Sequence, residues 1–160
     1  MHEDPEIPNF WDYSMELTRP AHRAMKLWFT LRVFGVKRTG EMIDHGFDLA
    51  QTAEEALVRL PDWQVVSSST ESLAILTFRF RREGKAEREV DEINAAISAE
   101  LIASNVAGIL TTKVRGMVVL RICALSPELS LEGMAKIVAE MDVIAKRLAE
   151  RHTARDDESL

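Results

Sequence analysis

The sequence predicts an α+β fold of two layers, in which helices cover one face of a four-stranded, mainly antiparallel sheet. Apolar residues recur at three- and four-residue steps in some segments, which indicates helices, and fill short β-branched runs in others, which indicates strands. These segments follow in the order helix, helix, two strands, helix, two strands, helix. With 160 residues, of which 46% are hydrophobic, the chain is long enough for one domain with a substantial core.

The first part of the chain predicts an irregular arm and two helices. Residues 1–17 contain two prolines and three clustered aromatic residues without a clear period, so we expect an arm. A first helix is expected over 18–36, with Thr18 as its cap and Gly35 at its end. A second, amphipathic helix follows over 37–60.

Two strands and a helix are expected in the middle of the chain. The β-prone runs at 63–67 and 73–80 predict the strands. The charged stretch 81–89 predicts a solvated loop that leads into the helix, whose apolar residues have helical spacing: Val90, Ile93, Ile97 and Leu101.

A hairpin and a final helix are expected next. Strands at 106–114 and 117–125 are joined by Arg115–Gly116, a two-residue turn typical of hairpins. Ser130 is placed to cap the last helix, and residues 153–160 are expected to form a disordered acidic tail.

Composition and charge exclude several classes of protein. A formal net charge of −6 argues against a nucleic-acid-binding protein, which needs a basic face. No apolar run approaches the roughly 18 residues that a membrane span requires, and no signal peptide is recognisable. A single cysteine, Cys123, excludes an internal disulfide. We therefore expect a cytoplasmic protein with neither nucleic acid nor membrane as a partner.

The first helix is apolar around most of its circumference. Its polar stripe is narrow and consists of Arg23, Lys26 and Thr30. Such a helix must be buried nearly all round. One small sheet cannot cover every side of a helix that lies near the end of the chain. We infer that another subunit, or a domain absent from these 160 residues, covers it. The alternative is that it is the central helix of the core.

Few residues are placed for catalysis or metal binding. Lys26 alone among the six lysines lies in an apolar stretch, as a Schiff-base lysine requires, but a snorkelling side chain explains it better. His22 and His45 are not at metal-ligand spacing with any carboxylate or cysteine pair, and His45 falls on the polar face of its helix, as a surface residue. Cys123 lies in an apolar strand and is expected to be a small core residue. No metal site is predicted.

Arg121 interrupts the otherwise apolar strand MVVLRICAL. Because an unpaired buried charge is costly, its side chain must either point to solvent or meet a carboxylate. A buried guanidinium would suit bidentate binding of a carboxylate. Arg121 is therefore the one candidate site residue, and the pattern leaves both interpretations open.

Four stretches of the sequence together point to one protein family, although none of them alone would identify it. They are RPAHRAMKLWFTLRVFGV at 19–36, LAILTFRF at 73–80, DEINAAISAE at 91–100 and VRGMVVLRICALSPELSLEGM at 114–134. Together they resemble the C-terminal small domain of group II pyridoxal-phosphate-dependent decarboxylases, of the aromatic-L-amino-acid and tyrosine type. The resemblance covers about residues 10–150. It implies fold type I, in which 18–36 is a helix that bridges the large and small domains and 37–152 is the small domain.

The resemblance also implies an obligate homodimer with active sites at the dimer interface and pyridoxal phosphate as cofactor. The family's Schiff-base lysine, which follows a histidine, and its other cofactor-binding residues lie in a large domain that this sequence lacks. No histidine–lysine pair occurs here, so the chain alone is expected to bind no cofactor and to be inactive. By resemblance, Arg121 matches a family arginine near the substrate carboxylate.

Two functions remain open. The chain is either the C-terminal domain of an aromatic-type amino-acid decarboxylase, as a fragment, a truncated product or half of a split enzyme, or a non-catalytic dimerisation or interaction module derived from that domain. The expected partner is a large pyridoxal-phosphate-binding domain or subunit, or a second copy of the chain through the first helix. An amino-acid substrate is expected only in the complete enzyme, which would remove the α-carboxylate with the cofactor as electron sink.

Overall fold

The computed structural model of the protein describes residues 20–70 and 73–158, with side chains for 24–70 and 73–152. The chain divides into two compact units between Met42 and Ile43. The arm expected at 1–17 and the cap expected at Thr18 lie outside the described residues.

The described residues form three helices and a four-stranded antiparallel sheet, which confirms the predicted α+β fold. The helices are α1 (Pro20–Val58), α2 (Glu87–Ala103) and α3 (Leu131–Glu158). The strands are β1 (Trp63–Ser67), β2 (Ile75–Phe80), β3 (Leu110–Val114) and β4 (Met117–Cys123). None of these helices is long and apolar enough to span a membrane.

Helix α1 is interrupted at Gly35, where the first helix was predicted to end. Gly35 has φ 78° and ψ 162°, a conformation that residues with a β-carbon avoid. Helical geometry resumes after it, and the Thr39 hydroxyl donates to the Gly35 carbonyl at 2.8 Å. This second helical run ends at Val58, slightly before the predicted residue 60, since a helix cannot continue through Pro61 without a clash.

The strands are ordered β1-β2-β4-β3, and each neighbouring pair is antiparallel. The predicted two-residue turn at Arg115 and Gly116 joins β3 to β4. Both residues have positive φ angles, 52° and 83°, which is typical of the type I′ turns that match the twist of a hairpin.

Strand β3 begins at Leu110 rather than at residue 106, because the residues before it close helix α2. Asn105 has φ 56°, a left-handed conformation that asparagine tolerates. The N–H groups of Asn105 and Val106 donate to the carbonyls of Ile102 and Leu101, at 3.1 and 3.0 Å. This is a Schellman motif, which supplies partners for the last carbonyls of the helix.

Two charged segments are more helical than predicted. Helix α2 begins at Glu87, so the end of the loop expected at 81–89 belongs to the helix, where Glu89 accepts a hydrogen bond from the N–H three residues before it at 2.8 Å. Helix α3 continues to Glu158, so the disordered tail expected at 153–160 is wrong up to that residue. Extending a packed helix adds one hydrogen bond for each residue fixed, which favours this continuation.

The core lies between one face of the sheet and the helices. Alternate residues of β2 point into it, together with buried residues of α2: Leu76, Phe78, Phe80, Ile93, Ile97 and Leu101. The Trp63 ring packs edge-on against Phe80, with ring centres 5.2 Å apart. Its indole N–H donates to the buried carboxylate of Asp142 at 2.9 Å, so this polar group of α3 is satisfied inside the domain.

Helix α1 passes very close to the segment that follows β4. A β-carbon on Gly46 would lie 2.7 Å from the backbone carbonyl oxygen of Ala124, closer than such atoms approach. Only glycine therefore fits at this point of the helix. This part of α1 packs into the core through Leu49, Ala53 and Leu57.

Candidate functional site

Arg121 lies on the face of the sheet that turns away from the hydrophobic core, which we call the open face, although Thr77, Arg79 and Val119 on the same face are buried. In β4 it is opposite Thr77 of β2 and Leu110 of β3. Its neighbours along the strand, Leu120 and Ile122, point the other way and are buried in the core. Arg121 is exposed, so of the two interpretations left by its sequence pattern the structure shows the one in which the side chain meets solvent.

The surroundings of Arg121 suit one anionic group rather than a catalytic cluster. The hydroxyl of Thr77 is hydrogen-bonded to that of Ser67 at 2.5 Å, and Leu110 is apolar and 51% exposed. An exposed guanidinium can offer two parallel N–H donors to a carboxylate that arrives from outside the chain. Among the residues whose positions are described, no group of three or more histidine, cysteine or acidic side chains could hold a metal ion.

Two other residues singled out from the sequence do not lie where they were expected. Cys123 is exposed rather than part of the core, and alternation along β4 places it on the same face as Arg121. His45 is half-buried rather than a surface residue, and its Nε2 lies 2.7 Å from the carbonyl oxygen of Leu129. Since a carbonyl only accepts, Nε2 carries the proton of this hydrogen bond. The side chain of His22 lies outside those described.

The lysines do not fit covalent attachment of a carbonyl cofactor. A lysine in that role must be desolvated or lie beside another cation. Lys26 is exposed, as are three of the other five lysines, Lys37, Lys113 and Lys136. Lys136 and the two half-buried lysines, Lys85 and Lys146, each pair with a carboxylate, at 2.7, 3.0 and 2.7 Å. The lysines therefore lack the desolvated surroundings that covalent attachment of such a cofactor requires.

Arg79 of β2, which the sequence pattern did not bring to attention, is completely buried. Its Nη1 donates to Glu87 and its Nη2 to Asp91, both at 3.0 Å. The two carboxylates belong to the first turns of α2, and their side chains are 54% and 30% exposed. A signal was present in the sequence, because acidic residues four positions apart share one helix face and can reach the same cation.

The first turns of α2 also hold β2 and β4 together where the two strands cease to pair. The Asn94 side chain accepts from the Phe80 N–H and donates to the Phe80 carbonyl, both at 2.9 Å, as a neighbouring strand would do. Asp91 accepts from the Val118 N–H at 3.0 Å. Buried backbone groups at the end of the ladder thereby have partners, and the same Asp91 oxygen binds Arg79.

A carboxylate on α1 fastens the loop between β1 and β2. Glu54 Oε2 accepts from the backbone N–H and the hydroxyl of Ser69, at 2.8 and 2.5 Å, and from the hydroxyl of Ser68 at 3.1 Å. Burial raises the pKa of Glu54, but the hydrogen bonds lower it further, so the pKa lies below its ordinary value of 4.5. An acid of this kind is ionised at neutral pH and serves as an anchor rather than as a proton donor.

The part of α1 around Gly35 exposes most of its apolar side chains. Seven large ones are between 51% and 75% exposed: Met25, Leu27, Trp28, Phe29, Val33, Phe34 and Val36. No side chain described from 24 to 36 is buried. Monomeric proteins rarely expose apolar surface of this extent without a partner for it. We call residues 24–38 the apolar segment.

The chain is similar to decarboxylases over most of its own length. It is 33% identical over 142 residues to the aromatic-L-amino-acid decarboxylase of Bacillus atrophaeus and 28% identical over 146 residues to the L-2,4-diaminobutyrate decarboxylase of Acinetobacter baumannii. These matches cover 88% and 91% of this chain, but 29% and 28% of the two relatives. The chain thus spans less than a third of the length of the curated relatives it matches. No known family profile matches the sequence.

Solved decarboxylase structures contain the same fold as one part of a larger chain. The tryptophan decarboxylase of Catharanthus roseus in complex with L-tryptophan matches 79% of this chain with a TM-score of 0.67 and 20% identity. The Oryza sativa TDC with PLP matches 82% of it with a TM-score of 0.63 and 26% identity. The matches cover 26% and 27% of those two chains.

Proposed function

We propose, from its homology to a C-terminal portion of group II pyridoxal-phosphate-dependent decarboxylases, that this chain is the small domain of an amino-acid decarboxylase of the aromatic type. The observation that carries the proposal is the difference in coverage, since the similarity extends over 88% of this chain and 29% of the Bacillus relative. A large domain or subunit, bound in part through the apolar segment, would complete the enzyme and carry the cofactor.

The reaction proposed for the complete enzyme is loss of the α-carboxylate of an aromatic L-amino acid as CO2. Pyridoxal phosphate, when bound, supplies the electron sink for that step. Its attachment is not assigned to this chain, because the described lysines are either exposed or paired with carboxylates.

Arg121 is the residue of this chain that we propose to meet the substrate. It is an exposed cation on the open face, and the flanking Thr77 and Leu110 offer it no competing carboxylate. A guanidinium binds a carboxylate through two parallel N–H groups, which a lysine cannot reproduce. Loss of such a charged hydrogen bond costs about 1.5–3 kcal/mol, which corresponds to a rise of about tenfold or more in KM.

The exposed apolar segment supports a second candidate function, a non-catalytic dimerisation or interaction module derived from the same domain. In that case the chain binds through residues 24–38 and meets no substrate. The two candidates differ in whether the bound partner carries a cofactor and releases CO2.

The experiment purifies the full chain, tagged, both alone and together with whatever it binds in its own cells. Each sample receives pyridoxal phosphate and then borohydride, and mass spectrometry locates the reduced adduct. We expect an adduct on a lysine of the larger co-purifying polypeptide, none on Lys26, and release of CO2 from aromatic amino acids by the complex alone. A stoichiometric adduct on Lys26, or activity of the isolated chain, would contradict the proposal. A complex without adduct or activity would favour the interaction module.

The role of Arg121 is tested in the same complex with Arg121→Lys. We expect KM to rise about tenfold or more while the melting temperature of the chain is unchanged. Arg88→Lys is the matched control, because Arg88 is 91% exposed and its ion pair is with its helical neighbour Glu92. A fall in thermal stability with unchanged KM would make Arg121 a structural residue.

A further inference from the structure

Strand β4 extends further than β3, the strand beside it at the edge of the sheet. The pairing of the two strands stops at Leu110, which begins β3 and lies opposite Arg121. β4 continues to Cys123, which still lies opposite Ile75 of β2. The last part of β4 therefore pairs with a strand on one side only.

The backbone N–H and carbonyl of Cys123 face the side on which β3 is missing. Alternate residues of an antiparallel strand bond to opposite neighbours. The Ala124 N–H donates to the Ala74 carbonyl at 3.1 Å, on the β2 side, so the residue before it faces the other way. Among the described residues, neither of these two groups of Cys123 has a hydrogen-bond partner. An unpaired strand edge of this kind is a template for pairing with another chain.

An apolar cavity of about 230 Å³ adjoins this free edge. Its side-chain walls come from the segment before β3, the end of β4 and the start of α3: Ile109, Ile122, Leu129, Met134 and Ile137. None of its described lining residues is charged. Gly108 also lines it, and a β-carbon there would meet nothing within 4 Å, so this border is open. The cavity is smaller than the roughly 300–1,000 Å³ of sites for drug-sized ligands, so its size suits a single side chain.

We propose that an extended peptide segment of a partner protein binds here by adding a short strand to the free edge of β4. One residue of the segment pairs its N–H and carbonyl with those of Cys123, and an adjacent residue places an aliphatic side chain in the cavity. In strand addition the backbone bonds supply affinity, and pockets for alternate side chains supply specificity. Successive side chains of a strand point to opposite faces, so the residue paired with Cys123 lies on the open face and its neighbour on the side of Ile122.

Arg121 specifies the charge of the residue that pairs with Cys123. It is exposed and lies on the open face, two positions before Cys123. A residue paired with Cys123 is a diagonal neighbour of Arg121, about 7–8 Å away, and long side chains bridge that distance. A glutamate there would bring a carboxylate to the guanidinium, whereas a lysine would bring like charges together. The expected segment therefore carries an acidic residue next to a branched aliphatic one.

This inference goes beyond the proposed function and does not rest on it. Peptide binding is measured on the chain alone, whereas the substrate role of Arg121 is measured as KM in the complex. A bound segment would compete with a substrate carboxylate for the guanidinium. Failure to bind a peptide leaves the adduct, CO2 and KM measurements as they are, so the two proposals fail separately.

The probe is the peptide acetyl-Thr-Leu-Glu-Leu-Thr-amide, titrated into the full chain labelled with nitrogen-15. Leucine on both sides of the glutamate allows the peptide to bind in either strand direction. Chemical shifts in NMR spectra give the affinity, and hydrogen exchange of the Cys123 amide reports the backbone pairing. Three matched peptides each change one feature: N-methylation of the glutamate removes its N–H, serine at both leucines removes the aliphatic side chains, and lysine in place of glutamate reverses the charge.

We expect the parent peptide to bind saturably, with Kd at or below about 1 mM, and to slow exchange of the Cys123 amide about tenfold or more. Each altered peptide should bind about tenfold more weakly or worse. Gly108→Val, which places a branched side chain at the open border of the cavity, should weaken binding similarly. Gly40→Val is the matched control, because a β-carbon there also meets nothing within 4 Å and Gly40 lies outside the cavity. Arg121→Glu should bind the lysine peptide better than the parent.

Four results would overturn the proposal. They are the absence of saturable binding of the parent peptide, binding that leaves exchange of the Cys123 amide unchanged, an N-methylated or serine peptide that binds as well as the parent, and a Gly108→Val chain that binds as well as the wild type. The peptide comparisons all use the wild-type chain, so a folding defect in a variant cannot produce their outcome.

Discussion

Replacement of Asp91 by alanine tests the buried arginine and the end of the strand ladder together. In Asp91→Ala the fully buried Arg79 keeps only Glu87 as a carboxylate partner, and the Val118 N–H loses its acceptor. Removing one partner of a buried ion pair costs about 3–5 kcal/mol. Because the Asp91 side chain is 30% exposed, water can enter the space that it leaves. We therefore expect the lower end of that range, about 3 kcal/mol of unfolding free energy.

Two related variants set the scale for this measurement. Asp91→Asn keeps an acceptor for the Val118 N–H and loses only the charge, so we expect a loss of about 1–2 kcal/mol. Glu87→Ala removes a carboxylate that is 54% exposed and leaves Asp91 in place, so we expect about 1 kcal/mol or less. A domain with about 5–15 kcal/mol of stability remains folded after any one of these losses.

Urea denaturation followed by far-UV circular dichroism and tryptophan fluorescence measures the three losses. The expected order of destabilisation is Asp91→Ala, then Asp91→Asn, then Glu87→Ala, with an unchanged dependence on urea concentration. If Asp91→Ala were no more destabilising than Glu87→Ala, Asp91 would not be the residue that joins Arg79 to the strand end, and the reasoning would be refuted.

Two further predictions concern the attachments of α1. The folded pKa of Glu54 is below 4.5, so its contribution to stability is complete above pH 4.5 and is lost as the pH falls through the folded value. Urea midpoints between pH 6 and 3 should therefore fall more steeply for the wild type than for Glu54→Gln, and parallel curves would contradict this. Gly46→Ala should destabilise by about 1–3 kcal/mol, because its β-carbon would meet the Ala124 carbonyl at 2.7 Å. Gly40→Ala, whose β-carbon meets nothing within 4 Å, should instead stabilise by up to about 1 kcal/mol, and equal effects at the two glycines would be inconsistent with this contact.

Local chemistry determined most of the secondary structure. The Arg115–Gly116 turn, the break at Gly35 and strand β1 were predictable because each depends on residues adjacent in the chain. Ser130 likewise caps α3 as predicted, with its hydroxyl accepting from the Gly133 N–H at 3.0 Å. The predicted start of β3 at residue 106 was wrong because Val106 could either begin a strand or close the preceding helix. In the structure its N–H donates to the Leu101 carbonyl, so it closes α2.

The two strand arginines separate what the sequence by itself determined from what the tertiary structure decided. Each interrupts an apolar run, LAILTFRF or MVVLRICAL, and strand alternation assigns each side chain to the same face of the sheet. Nothing local to either strand says which of them is buried. Arg79 is buried because the first turns of α2 place Glu87 and Asp91 3.0 Å from its guanidinium, whereas no element covers Arg121 in the described part of the chain. Burial of a charge depends on where a distant carboxylate comes to lie, and that is set by the packing of the helix on the sheet rather than by the residues beside the charge.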